Sequence, residues 1–181
     1  MTEVSIDARR PLFSFPEQVN EVSARLVAAG VVAMATAAVT FDLRWVTVVI
    51  AYGFVARVLT GPTLSPLARF VTGIVTPRLA VAPRLVPGSP KRFAQGIGAV
   101  LSVTAVALTF GADQWGFAQA LLGGLMVAAG LEAALGLCLG CKIFALLMRA
   151  GVIPPSACAQ CDDLWATGRR GGADREPAAF R

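Results

Sequence analysis

The chain contains no histidine. That removes the commonest general base near neutral pH and every metal site built on imidazole. Charge is scarce as well: 15% of the 181 residues are Asp, Glu, Lys or Arg, against about a quarter in an ordinary soluble domain. The charges that exist are clustered, which leaves long stretches with none and excludes a conventional solvated surface over most of the chain. The net charge of +5 raises the question of nucleic acid. The basic residues gather beside apolar runs, a pattern that suits orientation in a membrane, so no nucleic-acid partner is expected.

What remains is apolar. Hydrophobic residues make up 56% of the chain and the mean hydropathy is +0.67. A helix crossing about 30 Å of hydrocarbon needs about 20 mostly apolar residues. Runs of that kind occur at about 22–41, 45–60, 93–111 and 117–137, the last with an apolar extension to 148 that continues or bends through Gly136 and Gly140. The expected fold is an all-α membrane protein, a bundle of about four transmembrane helices. The bundle occupies 22–148, between a polar tail at 1–21 and a second tail at 149–181 whose Gly/Arg-rich end looks disordered. Arg9, Arg10 and Ala33-Met34-Ala35 offer some likeness to a cleaved signal. The acids Glu3, Asp7, Glu17 and Glu21 dilute that start, so the first span is expected to be retained.

The connections are informative. Asp42-Leu43-Arg44 and Asp113-Gln114-Trp115-Gly116 form short turns, with Trp45 and Trp115 placed as interfacial aromatics. Asp42 and Asp113 read as solvated turn residues. Between spans two and three, Ser65-Pro66 is a helix-start signal, serine as N-cap and proline at the first helical position. Leu67, Phe70, Val71, Ile74 and Val75 follow at helical spacing, so 65–76 reads as a short helix lying along the headgroups. Pro77, Pro83, Pro87 and Pro90 then make an irregular connector. The stretch 61–92 carries Arg69, Arg78, Arg84, Lys91 and Arg92 and no acid. More basic residues follow Lys142. Loops rich in Lys and Arg stay in the cytoplasm, so both termini and the central connector are expected on that side of the cell (inner) membrane. Lys91 and Arg92 read as anchors for anionic lipid.

Four cysteines form two pairs, Cys138/Cys141 and Cys158/Cys161, giving the pattern Cys-x2-Cys-x16-Cys-x2-Cys. On the cytoplasmic side thiols stay reduced, so the pairs are expected to be dithiols, metal ligands or transient redox centres. Cys138 and Cys141 share one helix face, and a cation such as Lys142 would favour the thiolate. Packing competes with that reading, because Gly136 and Gly140 bracket Cys138 in a close-contact motif. Cys158 and Cys161 sit on a polar tail where packing needs no cysteine. The overall spacing also fits a four-thiolate zinc site. Arg57 and Glu132 are the ionisable residues well inside spans. Such residues usually face the interior in pairs, so an Arg57–Glu132 ion pair is expected. In a functional version Glu132 is a proton acceptor for thiol exchange.

Gly61-Pro62 with Ser65-Pro66-Leu67-Ala68-Arg69, then Pro90-Lys91-Arg92-Phe93-Ala94-Gln95, then Leu137-Cys138-Leu139-Gly140-Cys141, resemble an uncharacterised bacterial integral-membrane family, domain-of-unknown-function family 4395. The resemblance covers about residues 11–150. It implies a four-helix-type membrane domain of unknown activity whose members look like companions of thioredoxin-like and sulfurtransferase proteins. The function expected first is thiol redox or sulfur transfer at the cytoplasmic face, with Cys138 and Cys141 as the working pair and Cys158 and Cys161 exchanging with them. Two alternatives stand beside it. One is a non-enzymatic protein with a structural zinc held by all four cysteines. The other is a small transporter, oligomeric because four helices are few for a pore.

Overall fold

The computed structural model describes residues 16–79 and 81–158. Among these the chain is helical apart from a short two-stranded ribbon. β1 (Gln18–Asn20) pairs antiparallel with β2 (Leu85–Pro87), Val19 opposite Val86. This ribbon was not expected, because polar β1 has no strand periodicity and β2 ends in Pro87. It forms because each strand immediately precedes a helix of the bundle, and those two helix starts lie together.

Helix α1 (Glu21–Thr40) begins where Asn20 Oδ1 accepts from the Val22 amide at 3.0 Å, a side-chain cap on an otherwise orphaned donor. Helix α2 (Val46–Thr60) follows a tight turn and closes at Gly61, whose φ of 64° suits glycine. Ser65 caps the next helix and Pro66 opens it, as the sequence signal requires. That segment is α3 (Pro66–Phe70), a wider π turn over Val71–Val75, and α4 (Thr76–Arg78). Helix α5 (Gly88–Val106) ends in a second π turn, Ala107–Gly111. Helix α6 (Trp115–Leu135) stops at Gly136 in the left-handed conformation, φ 68°, the usual glycine stop. Helix α7 (Leu139–Arg149) and a 3-10 turn (Pro155–Cys158) complete the described chain.

Three helical stretches are long and apolar enough to cross a membrane: Glu21–Thr40, Gly88–Gly111 and Trp115–Leu135. The fourth apolar helix, Val46–Thr60, has 15 residues. At 1.5 Å per residue it reaches about 22 Å, short of a full hydrocarbon thickness. The four pack chiefly as α2 on α5 and α1 on α6, with α5 also against α6. The core joining them combines Val31, Ile50, Phe54, Leu122 and Leu125 with the small Ala35 and Ala38. Small residues let helix backbones approach closely. Large apolar side chains on the opposite faces, among them Val100, Phe110, Phe117 and Val127, point outward.

Two sequence expectations are corrected. Helix α5 starts at Gly88, not near Phe93, so Lys91 and Arg92 belong to its first turns. The last apolar run takes the bent of its two expected courses, stopping at Gly136, but Gly140 is a contact point and not a bend: a Cβ there would lie 2.6 Å from Ala94 Cα. Helix α7 therefore lies directly against the first turns of α5.

Candidate functional site

The chemistry-bearing side chains collect at the end of the bundle where α2 and α6 finish and α5 and α7 begin. Helix α6 delivers Glu132 one turn before its glycine stop. The stop turns the chain so that Cys138 becomes the N-cap residue of α7, in extended conformation, with Cys141 at the third helical position. Two residues between the cysteines, in a cap-plus-first-turn geometry, put both sulfurs at a helix N-terminus, where the backbone dipoles favour an anion. Both are free cysteines, Cys138 buried and Cys141 partly so.

The ion pair of this site is Lys91–Glu132, with Nζ bonded directly to Oε1 and both side chains largely buried. It replaces the expected Arg57–Glu132 pair. Lys91 is likewise not a lipid anchor, because it is 7% exposed and points into the bundle. The physical reason is the early start of α5. Once Lys91 is helical it shares a face with Gln95, Gly98 and Ser102, and that face packs inward. Arg92, next in the chain, is exposed and its Nε donates to the Val58 carbonyl at 3.1 Å.

Arg57 is 6% exposed and is held by neutral groups. Its Nε donates to Gln95 Oε1 at 2.8 Å and its Nη1 to Ser65 Oγ at 3.3 Å. The guanidinium stacks on the Phe54 ring, 4.4 Å from its centroid, a cation–π contact. Phe54 in turn occupies the space a side chain at position 98 would need. A Cβ on Gly98 would lie 2.3 Å from the ring. Gly53 leaves room on the other side, since a Cβ there would already be 3.3 Å from Arg57 Nη1.

The thiols are electrostatically unequal. The Cys141 thiol donates to the Cys138 sulfur and holds Cys138 below the ordinary thiol value; Lys91 acts in the same direction, against burial and Glu132. The same hydrogen bond, together with burial, pushes Cys141 up. A low first thiol and a high second thiol is the division of labour that exchange chemistry uses: one attacks, the other keeps its proton until needed. The cation beside the pair is Lys91 and not Lys142, which is exposed on α7.

Two cavities meet here. One, of about 180 Å³, is lined mainly by apolar groups such as Phe54, Leu101 and Leu125, with Cys138 and Glu132 at one end. The other, of about 230 Å³, lies under β1 and is lined by Arg57, Lys91 and Gln95. Gln95 lines both, and the Lys91–Glu132 pair contributes one residue to each, so these three side chains form the wall between them.

Cys158 packs in a small apolar cluster against α7. It is buried against Phe144 with Phe93 and Ile153 nearby, and it is disulfide-bonded. Cys161 lies outside the described residues. Among the described residues no group of three or more His, Cys, Asp or Glu converges as metal ligands. Zinc remains a matter of sequence spacing alone.

Sequence reasoning missed Lys91, Gln95 and Phe54 as site residues, and also Arg25. The Arg25 guanidinium donates to the Ala133 and Ala134 carbonyls at 3.1 and 2.8 Å, and so caps the end of α6 that carries Glu132. A signal for Lys91 did exist. Ser89-Pro90 repeats the Ser-Pro start seen at Ser65-Pro66, and a helix begun there places Lys91, Gln95 and Gly98 on one face. Nothing local marked Arg25, whose partners are more than a hundred residues away in the chain.

No curated protein and no solved structure matches the chain. The family model described as Domain of unknown function (DUF4395) matches residues 19–149, from β1 to the end of α7. That stretch contains both cavities' central residues and the Cys138/Cys141 pair, and the chain belongs to the DUF4395 family.

Proposed function

We propose that this chain is an integral membrane protein that carries out thiol–disulfide exchange through Cys138 and Cys141 at the cytoplasmic face of the cell membrane. The observation that carries the reading is the placement of Cys138 at the N-cap of α7 and Cys141 one turn on, beside buried Lys91. Membrane insertion is supported by the outward apolar faces of the long helices and by the cluster of basic residues at one end. With α2 as a short fourth span, both termini and the 61–87 connector fall on the cytoplasmic side. Helix α7 then lies along the surface and outside the spans, its exposed Leu139, Ile143 and Leu146 toward lipid and Lys142 and Arg149 toward water.

The exchange balances as follows. The Cys138 thiolate attacks a disulfide of a soluble partner, such as a thioredoxin-like protein. A mixed disulfide forms, and one partner sulfur leaves as a thiolate. Cys141 passes its proton to the partner thiolate released in the first step, with Glu132, whose charge acts on this thiol, as the candidate acceptor on the way, and attacks the Cys138 sulfur. The second partner sulfur leaves, the partner is reduced by two electrons, and Cys138 and Cys141 become a disulfide. The reverse sequence oxidises a partner dithiol. Cys158 and Cys161 serve as the second pair, exchanging with the first. The return of the tail onto Phe144 and Phe93 supports that role.

Replacing Cys141 with Ser removes the resolving thiol. Mixed disulfides at Cys138 are then expected in cells, visible as reducible adducts on non-reducing gels and absent when Cys138 is also Ser. A Cys141→Ser protein that forms no adduct under oxidising or reducing growth defeats the proposal.

A further inference from the structure

The geometry points to a tetrahedral oxyanion site, of the sulfate or phosphate class, in the cavity under β1 that Arg57 lines. The site is separate from the thiol pair and does not depend on the exchange reading. Three observations lead to it.

First, the described residues bring more positive charge to the cavity than they neutralise there. Arg57 and Lys91 both line it, both buried. The one acid paired with either is Glu132, whose carboxylate binds Lys91. Among the described residues Arg57 has no carboxylate partner. Glu132 acts on Arg57 only at a distance, its carboxylate being bonded to Lys91; a buried guanidinium without a counter-ion of its own is costly, and that cost falls when an anion sits beside it.

Second, the open valences are donors. Arg57 uses Nε on Gln95 and Nη1 on Ser65, and its Nη2 has no hydrogen-bond partner among the described residues. Gln95 Oε1 is occupied by Arg57, and Asn20 Oδ1 by the Val22 amide. Each amide oxygen already accepts from a firm donor, and the amide NH₂ groups of these two residues donate to no described acceptor, so free donors face the cavity. Gln18 adds another amide, and no Asp or Glu is among the described residues that line the cavity. Described walls of an arginine, an ammonium and spare amide donors are complementary to an oxyanion and hostile to a cation.

Third, the arginine is fixed in place. Phe54 stacks on one face, Gly53 leaves space for Nη1, and Gln95 and Ser65 set the fork's orientation. A pre-set guanidinium suits a planar or tetrahedral oxyanion better than a spherical ion, because its N–H groups diverge at fixed angles. The oxyanion can belong to a free ion or to a lipid phosphate.

The full chain in nanodiscs of phosphatidylcholine alone is titrated with sulfate and with phosphate by calorimetry, at constant ionic strength. A parallel sample containing phosphatidylglycerol is examined by native mass spectrometry for retained lipid. Saturable binding of sulfate or phosphate identifies a free ion; retained phosphatidylglycerol without ion binding identifies a lipid phosphate. In either case Arg57→Gln weakens binding by about tenfold or more, the loss of one charge-assisted contact, and Arg57→Lys restores part of it. Ala24→Leu, which fills the cavity from α1 without removing a donor, weakens binding as well and keeps the test open if Arg57→Gln does not fold. Cys138→Ser leaves binding unchanged, so this titration and the mixed-disulfide trap succeed or fail separately. Equal binding by wild type, Arg57→Gln and Ala24→Leu overturns the site, as does the absence of both ion and lipid. Chloride binding as tight as sulfate overturns its oxyanion character.

Discussion

The two ends of the helical bundle carry the same kinds of charged residues and use them oppositely. At one end Arg44, itself half-exposed, reaches the exposed Asp113 at 3.3 Å and the exposed Asp42 at 3.9 Å. Both aspartates sit in tight turns with positive φ, 53° and 50°. Arg44 also lies 5.5 Å from the Trp115 ring centroid. At the other end Lys91, Glu132 and Arg57 are buried among helices. An exposed pair gains little, because water and salt screen it. A buried pair is poor evidence for stability as such, since desolvation offsets the attraction, but removing one member leaves a stranded charge. The difference teaches where to look for function. The exposed cluster joins two turns; the buried one sits beside a thiol pair and between two cavities.

The largest effect should come from splitting the buried pair. Glu132→Ala leaves Lys91 unpaired and is expected to lower stability by about 3–5 kcal/mol, measured by denaturant unfolding in detergent. The double variant Lys91→Met with Glu132→Leu should recover most of that loss. A single variant as stable as wild type would erase the contrast between the ends. Next in size, Gly98→Ala forces the Phe54 ring off α5 and should cost about 1–3 kcal/mol. The same substitution at Gly123, where a Cβ meets nothing, should be close to neutral.

The thiols sharpen the comparison further. Cys138 lies below the ordinary thiol value because Cys141 donates to it. Its alkylation by a small neutral reagent should therefore rise with pH through a midpoint lower than that of an ordinary cysteine. Cys141→Ala removes the donor, so the midpoint should move up and the rate at a fixed pH below it should fall. An unchanged profile would show that the two sulfurs do not interact. The smallest effect belongs to the exposed end, where Asp113→Ala should change stability by about 1 kcal/mol or less, and less still at high salt.

Much of the architecture was readable along the chain because it rests on local signals. Apolar runs of bilayer length, the Ser65-Pro66 start, the Gly136 stop and the Asp turns each act within a few residues. The ribbon was not readable, since its strands are polar or proline-bounded and owe their pairing to where two helices begin. The site was half readable. Cys138, Cys141, Glu132 and Arg57 were singled out as polar intrusions in apolar surroundings, and the structure gathers them at one end. Their partnerships were not. Lys91 looked like a surface lysine because prolines precede it, and the Arg57–Glu132 pairing followed from depth alone.

The amino-acid order by itself determined the helices, their approximate ends, the absence of imidazole chemistry and the presence of a cysteine pair two residues apart. Those properties depend on composition and short-range geometry. Tertiary structure decided which cation meets Glu132, why Arg57 has neutral partners, and that the cysteines cap a separate helix. Those outcomes depend on the rotation of α5 and on close approach at Gly98 and Gly140, where the lack of one methyl group lets two elements touch. Such contacts join residues far apart in the chain, and no local pattern specifies them.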